Sequence, residues 1–319
     1  MNDMDNMKDS EGKLNAYAGY CLKEDELMRS ASGGFATHLS KSFIENGGIV
    51  YGAQYENDFR SVCFKRVTDT DDIEGLRGSK YCQTRKYIND NGLKENLFLS
   101  VIGDLKAGVK VLFLGLGCDI AALYKNIERE NIGCSDLTCV ELICDGVTDD
   151  RVLDDYIRWV ENKYQSKVKD FTMRYKKEGW TPFYIRILFE NETIEEYPFY
   201  SSDIGYAFQF YKKKCCYNCL FRGRNHRGDI VIGDYWGCDE KNDIYNKYGI
   251  SLMIPLSDKG LCLLKTIDTD IFKIKAIDAN RALRKNPRFY NSPEKTEDWN
   301  LFDRDFHSLG LHASVMKRR

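Results

Sequence analysis

No stretch of this chain stays apolar long enough to cross a bilayer, and no polybasic tract marks a nucleic-acid partner. Neither a membrane span nor nucleic-acid binding is therefore expected. The opening residues, MNDMDNMKDSEGK, are acidic and polar where a secretory signal needs a basic start and an apolar core. A cytoplasmic protein is the expectation, with residues 1–14 as a disordered polar terminus. Proline- or glycine-rich linkers, low-complexity segments and internal repeats are all missing. One interwoven unit over 15–319 is expected, with an α/β half at about 15–165 and a second half at about 166–319. No GxSxG elbow, Walker loop or HExxH helix is present, and His38, His226, His307 and His312 share no ligand spacing. No side chain is assigned as a catalytic acid, base or nucleophile.

Cysteine, by contrast, is abundant, at 12 in 319 residues. A reducing compartment argues against a disulfide framework and leaves thiols able to hold metal. Cys63, Cys139 and Cys262 lie in apolar patterns and read as small buried core residues. The charge balance, 47 cations against 49 anions, describes an ordinary mixed surface.

Periodicity gives an α/β (mixed α+β) fold: a central mixed, largely parallel sheet flanked by helices, with an antiparallel extension and a cysteine-rich loop. NAYAGYCL (15–22) reads as a strand. A helix opens at SASGGF, with Phe35, Leu39 and Phe43 at intervals of four and Ser30 or Ser32 available as its cap. Strands at 49–55 and 61–67 form a hairpin, a short helix leads into the loop RGSKY, and 93–106 is read as helix. Strand, glycine turn and helix follow over 109–127, then strand 138–144 and helix 150–164. Beyond residue 166 the alternation of VKDFTMRY, FYIRILFE and IEEYPF predicts antiparallel strands with one wet face. DIVIGDYWGC, strand ISLMIPL and a helix at 259–266 come after the cysteine cluster.

Four cysteines stand at element ends or in loops beside turn formers: Cys118, Cys144, Cys216 and Cys219. The last two form a C-x-x-C, whose turn can aim both sulfurs at one metal or cluster. Four thiolates suit zinc and iron-sulfur alike, and the pair alone is also compatible with a redox dithiol. SASGGF pairs flexible glycines with a helix start, the local chemistry of a phosphate site, or simply of a capped helix. RGSKY (77–81) adds a hydroxyl and two cations around a glycine. GLGCDI (115–120) starts like a dinucleotide fingerprint, but Ile120 stands where its third glycine belongs. GDYWG (233–237) reads as an aromatic turn with Asp234 exposed.

In order, SASGGF, GGIVYGA, LRGSKYCQ, GLGCDIAAL, LICDGV, CYNCLF and GDIVIGDYWG resemble the coenzyme F420 hydrogenase/dehydrogenase beta subunit family from about Ala16 to beyond Pro255. The resemblance implies an iron-sulfur flavoprotein oxidoreductase that binds FAD and a 4Fe-4S cluster. It implies exchange with a soluble hydride carrier, coenzyme F420 or a substitute, and an electron-transfer partner, either ferredoxin-like or a hydrogenase/dehydrogenase subunit. Carried over by position, Cys118, Cys144, Cys216 and Cys219 are the cluster ligands. Ser32, Gly33, Gly34, Arg77, Gly78, Ser79, Lys80 and Tyr81 are the flavin candidates, with the two cations facing the pyrophosphate. Leu116-Gly117 and Asp145 depart from the family's usual residues, and Asp145 as an anion beside the cluster is expected to lower its potential. The alternative is a zinc-stabilised, non-catalytic binding or assembly protein with a decayed flavin site.

Overall fold

The computed structural model describes residues 14–90 and 92–319. The expected disordered terminus falls outside these, apart from Leu14. Along the chain, strand β1 (Asn15–Cys21) leads through α1 (Glu24–Arg29) to α2 (Phe35–Glu45) and the hairpin β2 (Ile49–Tyr55) and β3 (Val62–Val67). A 3-10 segment, Thr70–Leu76, precedes β4 (Thr84–Asp90), β5 (Leu93–Asn96) and α3 (Leu97–Lys106). The expected helix from residue 93 thus starts later. Gly92, with φ of 90°, turns the chain between β4 and β5, and the Asn96 side chain accepts from the Phe98 and Leu99 amides to cap α3.

The middle of the chain alternates: β6 (Val111–Gly115), α4 (Gly117–Arg129), β7 (Leu137–Leu142) and α5 (Asp150–Tyr164). β8 (Val168–Tyr175), β9 (Tyr184–Phe189) and β10 (Ile194–Pro198) then form a separate antiparallel sheet, as their alternation requires. After α6 (Asp203–Phe210) and the cysteine loop come β11 (Ile230–Asp234), β12 (Ser251–Pro255), α7 (Asp258–Lys265), β13 (Phe272–Asp278), α8 (Ala279–Arg284), α9 (Trp299–Leu309) and α10 (Leu311–Met316).

The large sheet has the order β13-β1-β12-β11-β7-β6-β2-β3-β4-β5. Parallel pairing is concentrated at its centre, where β2, β6, β7 and β11 run side by side, while β13, β1 and β12 pair antiparallel. The sheet is mixed, with its parallel part in the middle. β1, first of these strands, lies between β12 and β13.

Alternation buries both faces of the central strands. Val50 and Leu112 pack with Phe35 and Leu39 of α2 on one face, whereas Ile49, Tyr51, Val111 and Phe113 pack with α3 and α4 on the other. A second core joins α5, α9 and α10 to the small sheet through Tyr156, Ile185, Ile187 and Phe302. The small sheet meets the loop after β1 through Arg174 of β8, which donates to the Ala31 carbonyl. Of the thiols read as core, Cys63 and Cys139 are buried, but Cys262 lies exposed on α7.

Candidate cofactor site

The carboxyl ends of β2, β6, β7 and β11 open onto one cavity of about 660 Å³, the position where open α/β sheets place ligands. Its walls include Ser32, Gly34, Arg77, Gly78, Ser79, Lys80 and Tyr81 from the two loops, and Cys144 and Asp145 from the end of β7. Gly33 does not line it. A Cβ there would stand 2.3 Å from the Gly19 carbonyl and 2.5 Å from the Ser251 amide, so this glycine is required by strand packing.

The serines do not cap α2. Ser30 Oγ donates to the Glu26 carbonyl (2.8 Å) and Ser32 Oγ to the Ile250 carbonyl (2.9 Å), while Gly34, at φ 88°, occupies the cap position without a side-chain bond. The Phe35 amide reaches Ser251 Oγ at 3.4 Å, and the next two amides, of Ala36 and Thr37, meet no partner among the described residues. Both residues line the cavity. An uncapped helix start facing an open cavity attracts an anion through its amides and its dipole.

The cations of the second loop are engaged elsewhere. Arg77 is ion-paired with Glu74 (2.7 Å) and Glu26 (3.8 Å), and its Nη1 donates to the Glu26 carbonyl at 3.2 Å. Lys80 Nζ donates to the carbonyls of Leu76 (2.9 Å) and Arg77 (2.6 Å), and burial pulls its pKa down to about 7. These two side chains shape the loop with their charged ends bonded to it and to Glu26, and both line the cavity.

Two other basic residues hold the first loop, and neither stood out in the sequence. Arg174 of β8 donates to the Ala31 carbonyl (2.6 Å) and the Tyr81 hydroxyl (2.9 Å), and pairs with Asp234 at 3.2 Å. Lys176 donates to the carbonyls of Leu27 (2.6 Å) and Ser32 (2.8 Å); burial lowers it to about 7 as well. Two cations two residues apart, Arg174 near the end of β8 and Lys176 just past it, were the available signal. Asp234, expected to be exposed, is held by Arg174. Trp236 of the same GDYWG turn lines the cavity and stacks on Trp180 at 4.4 Å and 4°. Tyr81 has the left-handed φ of 48°, sustained by its bond to Arg174 and its packing at 4.4 Å on Phe208.

Cys144 joins this cavity to the thiol cluster. Its sulfur accepts from the Gly146 amide at 3.2 Å, and a Cβ on Gly146 would stand 3.1 Å from Cys216. The turn before Cys118 packs on the cysteine loop too, since a Cβ on Gly117 would lie 2.8 Å from Phe221. The thiols act on one another: Cys118 is influenced by Cys144 and Cys219, Cys144 by Cys216 and Cys219, and Cys216 by Cys219. Burial is the larger effect and raises Cys144 to about 12 and Cys216 to about 11. Among the described residues no three His, Cys, Asp or Glu side chains gather tightly enough for a single metal ion. The four thiols thus share one neighbourhood.

Below the cluster, buried His226 sits 2.6 Å from Glu141 Oε1, and Glu141 Oε2 accepts from the Arg227 (2.6 Å) and Gly228 (2.9 Å) amides. This fastens β7, which leads to Cys144, to the segment following Cys219. Arg222 is buried, with one bond from Nη1 to the Arg288 carbonyl, no partner at Nε and no carboxylate pair among the described residues. Its charge acts on Cys144, lowering that thiol against the push of burial. Asp145 pairs with Lys212 (2.8 Å) and with Arg288, so the lone anion expected beside the cluster is outweighed by two cations.

A family model describing the C-terminal part of the coenzyme F420 hydrogenase/dehydrogenase beta subunit matches residues 108–280, more than half of the chain. The chain belongs to this family. It is a redox protein of the F420 hydrogenase/dehydrogenase beta-subunit type, and the matched segment contains all four site cysteines. Among solved structures, a chain of the F420-reducing [NiFe] hydrogenase complex from Methanosarcina barkeri, studied as a xenon derivative, superimposes with a TM-score of 0.55. The two share 17% identity, and the match covers 88% of this chain and 93% of that one, a likeness of fold. No curated protein matches the sequence. Among the described residues no helix of this beta-subunit relative is long and apolar enough to cross a membrane.

Proposed function

We propose that this family member is an iron-sulfur flavoprotein oxidoreductase. Cys118, Cys144, Cys216 and Cys219 would hold a 4Fe-4S cluster, the cavity would hold FAD, and a soluble hydride carrier, coenzyme F420 or a substitute, would meet the flavin. A partner protein would exchange single electrons, in the cytoplasm. When bound, the flavin supplies conversion between electron pairs and single electrons, and the cluster supplies one-electron transfer.

The observation that carries this reading is Arg222. A buried, unpaired guanidinium costs several kcal/mol on the order-of-magnitude scale of desolvated charges, and anionic cluster thiolates beside it would offset that cost.

The residues of the chain divide the remaining work. The amides of Ala36 and Thr37 would bind the diphosphate of the dinucleotide. Arg174 and Lys176 fix the loop that presents those amides, and Lys80 fixes the facing loop. Trp236, Phe183 and Tyr200 supply apolar wall that limits water.

Anaerobic purification with optical and iron analysis tests the reading. Broad dithionite-bleached absorption with flavin bands, four irons per chain and no zinc is expected. A colourless protein with one zinc would overturn it and favour the assembly alternative. Parallel assays with F420, NADH and ferredoxin would then identify the carrier.

A further inference from the structure

Charge is segregated along this chain. Residues 211–228 contain Lys212, Lys213, Lys214, Arg222, Arg224 and Arg227 and no carboxylate; residues 281–292 contain Arg281, Arg284, Lys285 and Arg288 and again none. Ten cations without an anion stand out in a protein whose net charge is -2.

The fold brings the two segments together. The Cys219 amide donates to Ser292 Oγ at 3.0 Å, His226 Nε2 lies 3.0 Å from the Phe289 carbonyl, and Arg222 bonds to the Arg288 carbonyl. Internal carboxylates take only part of this charge: Asp145 binds Lys212 and Arg288, and Asp149 lies 3.8 Å from Lys213. Lys214, Arg224, Arg227, Arg284 and Lys285 are exposed and have no ion-pair partner among the described residues. Among these cations two large apolar side chains face solvent, Leu220 at 74% exposure and Tyr290 at 48%. Leu220 directly follows Cys219.

We propose that this face is the docking site of an acidic protein carrying a one-electron centre. An apolar middle with a cationic rim is the make-up of a protein interface steered by charge. Its position over the thiols puts a docked centre within short reach of them, a relation that rests on the electron-transfer reading. Duplex DNA would be drawn by the same cations, but the exposed Leu220 and Tyr290 at the centre favour a protein surface.

The test uses the full chain with its cofactors reconstituted and an acidic [2Fe-2S] ferredoxin as the probe, with binding measured by calorimetry at about 20 mM and about 0.5 M salt. Affinity is expected to fall about tenfold or more at the higher salt, and Arg224→Glu with Arg227→Glu to cause a similar loss at the lower salt only. Leu220→Ser is expected to weaken binding at both. Circular dichroism and flavin and iron absorbance on the same samples establish that the variants fold and load. Binding that is absent, or unmoved by the charge reversals in loaded protein, overturns the docking site and leaves the redox reading standing, as does a DNA duplex that displaces the ferredoxin. A wild type that takes up neither iron nor flavin overturns the redox reading and the docking proposal with it.

Discussion

Arg174 Nη1 donates to the Tyr81 hydroxyl at 2.9 Å across a separation of 93 residues, joining a strand of the small sheet to a loop of the large one. The same guanidinium reaches Ala31 and Asp234, so one side chain closes three walls of the cavity. Arg174→Met leaves Asp234 without its partner and should destabilise the protein by about 3–5 kcal/mol. FAD affinity should fall with it. Adding Asp234→Asn should recover part of the stability without the affinity, read by thermal melts and flavin fluorescence.

Arg222 gives a prediction with two readouts. Arg222→Met removes a cation beside Cys144, so the cluster's midpoint potential should drop by on the order of tens of millivolts in an EPR-monitored titration, while Arg222→Lys should keep most of it. Stripping iron with a chelator should lower the melting temperature of the wild type more than that of Arg222→Met. Equal losses would show that the guanidinium and the cluster do not compensate one another.

Stability should depend on pH through the two buried lysines. Lys80 and Lys176 titrate near 7 in the fold, against 10.5 ordinarily. Between those values the unfolded chain retains a proton that the folded chain has shed, so stability rises with pH, and it is lowest below 7 where both states are charged. The rise is up to about 1.4 kcal/mol per pH unit for each lysine. Denaturant titrations at pH 7 and 9 should show a smaller gain for Lys176→Met than for the wild type. A matching slope would mean that Lys176 stays charged in the fold.

Gly33→Ala separates packing from binding. Its Cβ collides with backbone atoms of β1 and of the start of β12, which cannot move aside cheaply, and the substitution should cost about 3 kcal/mol or more. At Gly78 an added Cβ meets only Thr172 Oγ1 at 3.8 Å, so Gly78→Ala should cost about 1 kcal/mol from its φ of 77° alone. Melting temperatures of the pair decide the point.

Much of this was legible in the chain because period and punctuation are local properties. Alternating β8 to β10, the buried run of β6 and the spacing of Phe35 and Leu39 gave strands and helix directly. The four cysteines lie at or near element ends, a feature visible in flanking residues such as Gly117 and Gly146. What stayed hidden depends on partners far along the chain. Arg77 looked like an anion ligand, yet nothing local shows that Glu26, 51 residues earlier, binds it. Arg222 sits in an arginine-rich run that reads as solvated, yet it is buried and bonds to the Arg288 carbonyl 66 residues on. Asp145 was read as a solitary anion since Lys212 and Arg288 lie 67 and 143 residues away.

The place of β1 between β12 and β13 bears on how the protein matures. The strand that leads into the SASGG loop has no sheet neighbour until residues 251–278 have left the ribosome. The cavity is thus completed only in the last third of translation, and anything it binds can enter no earlier.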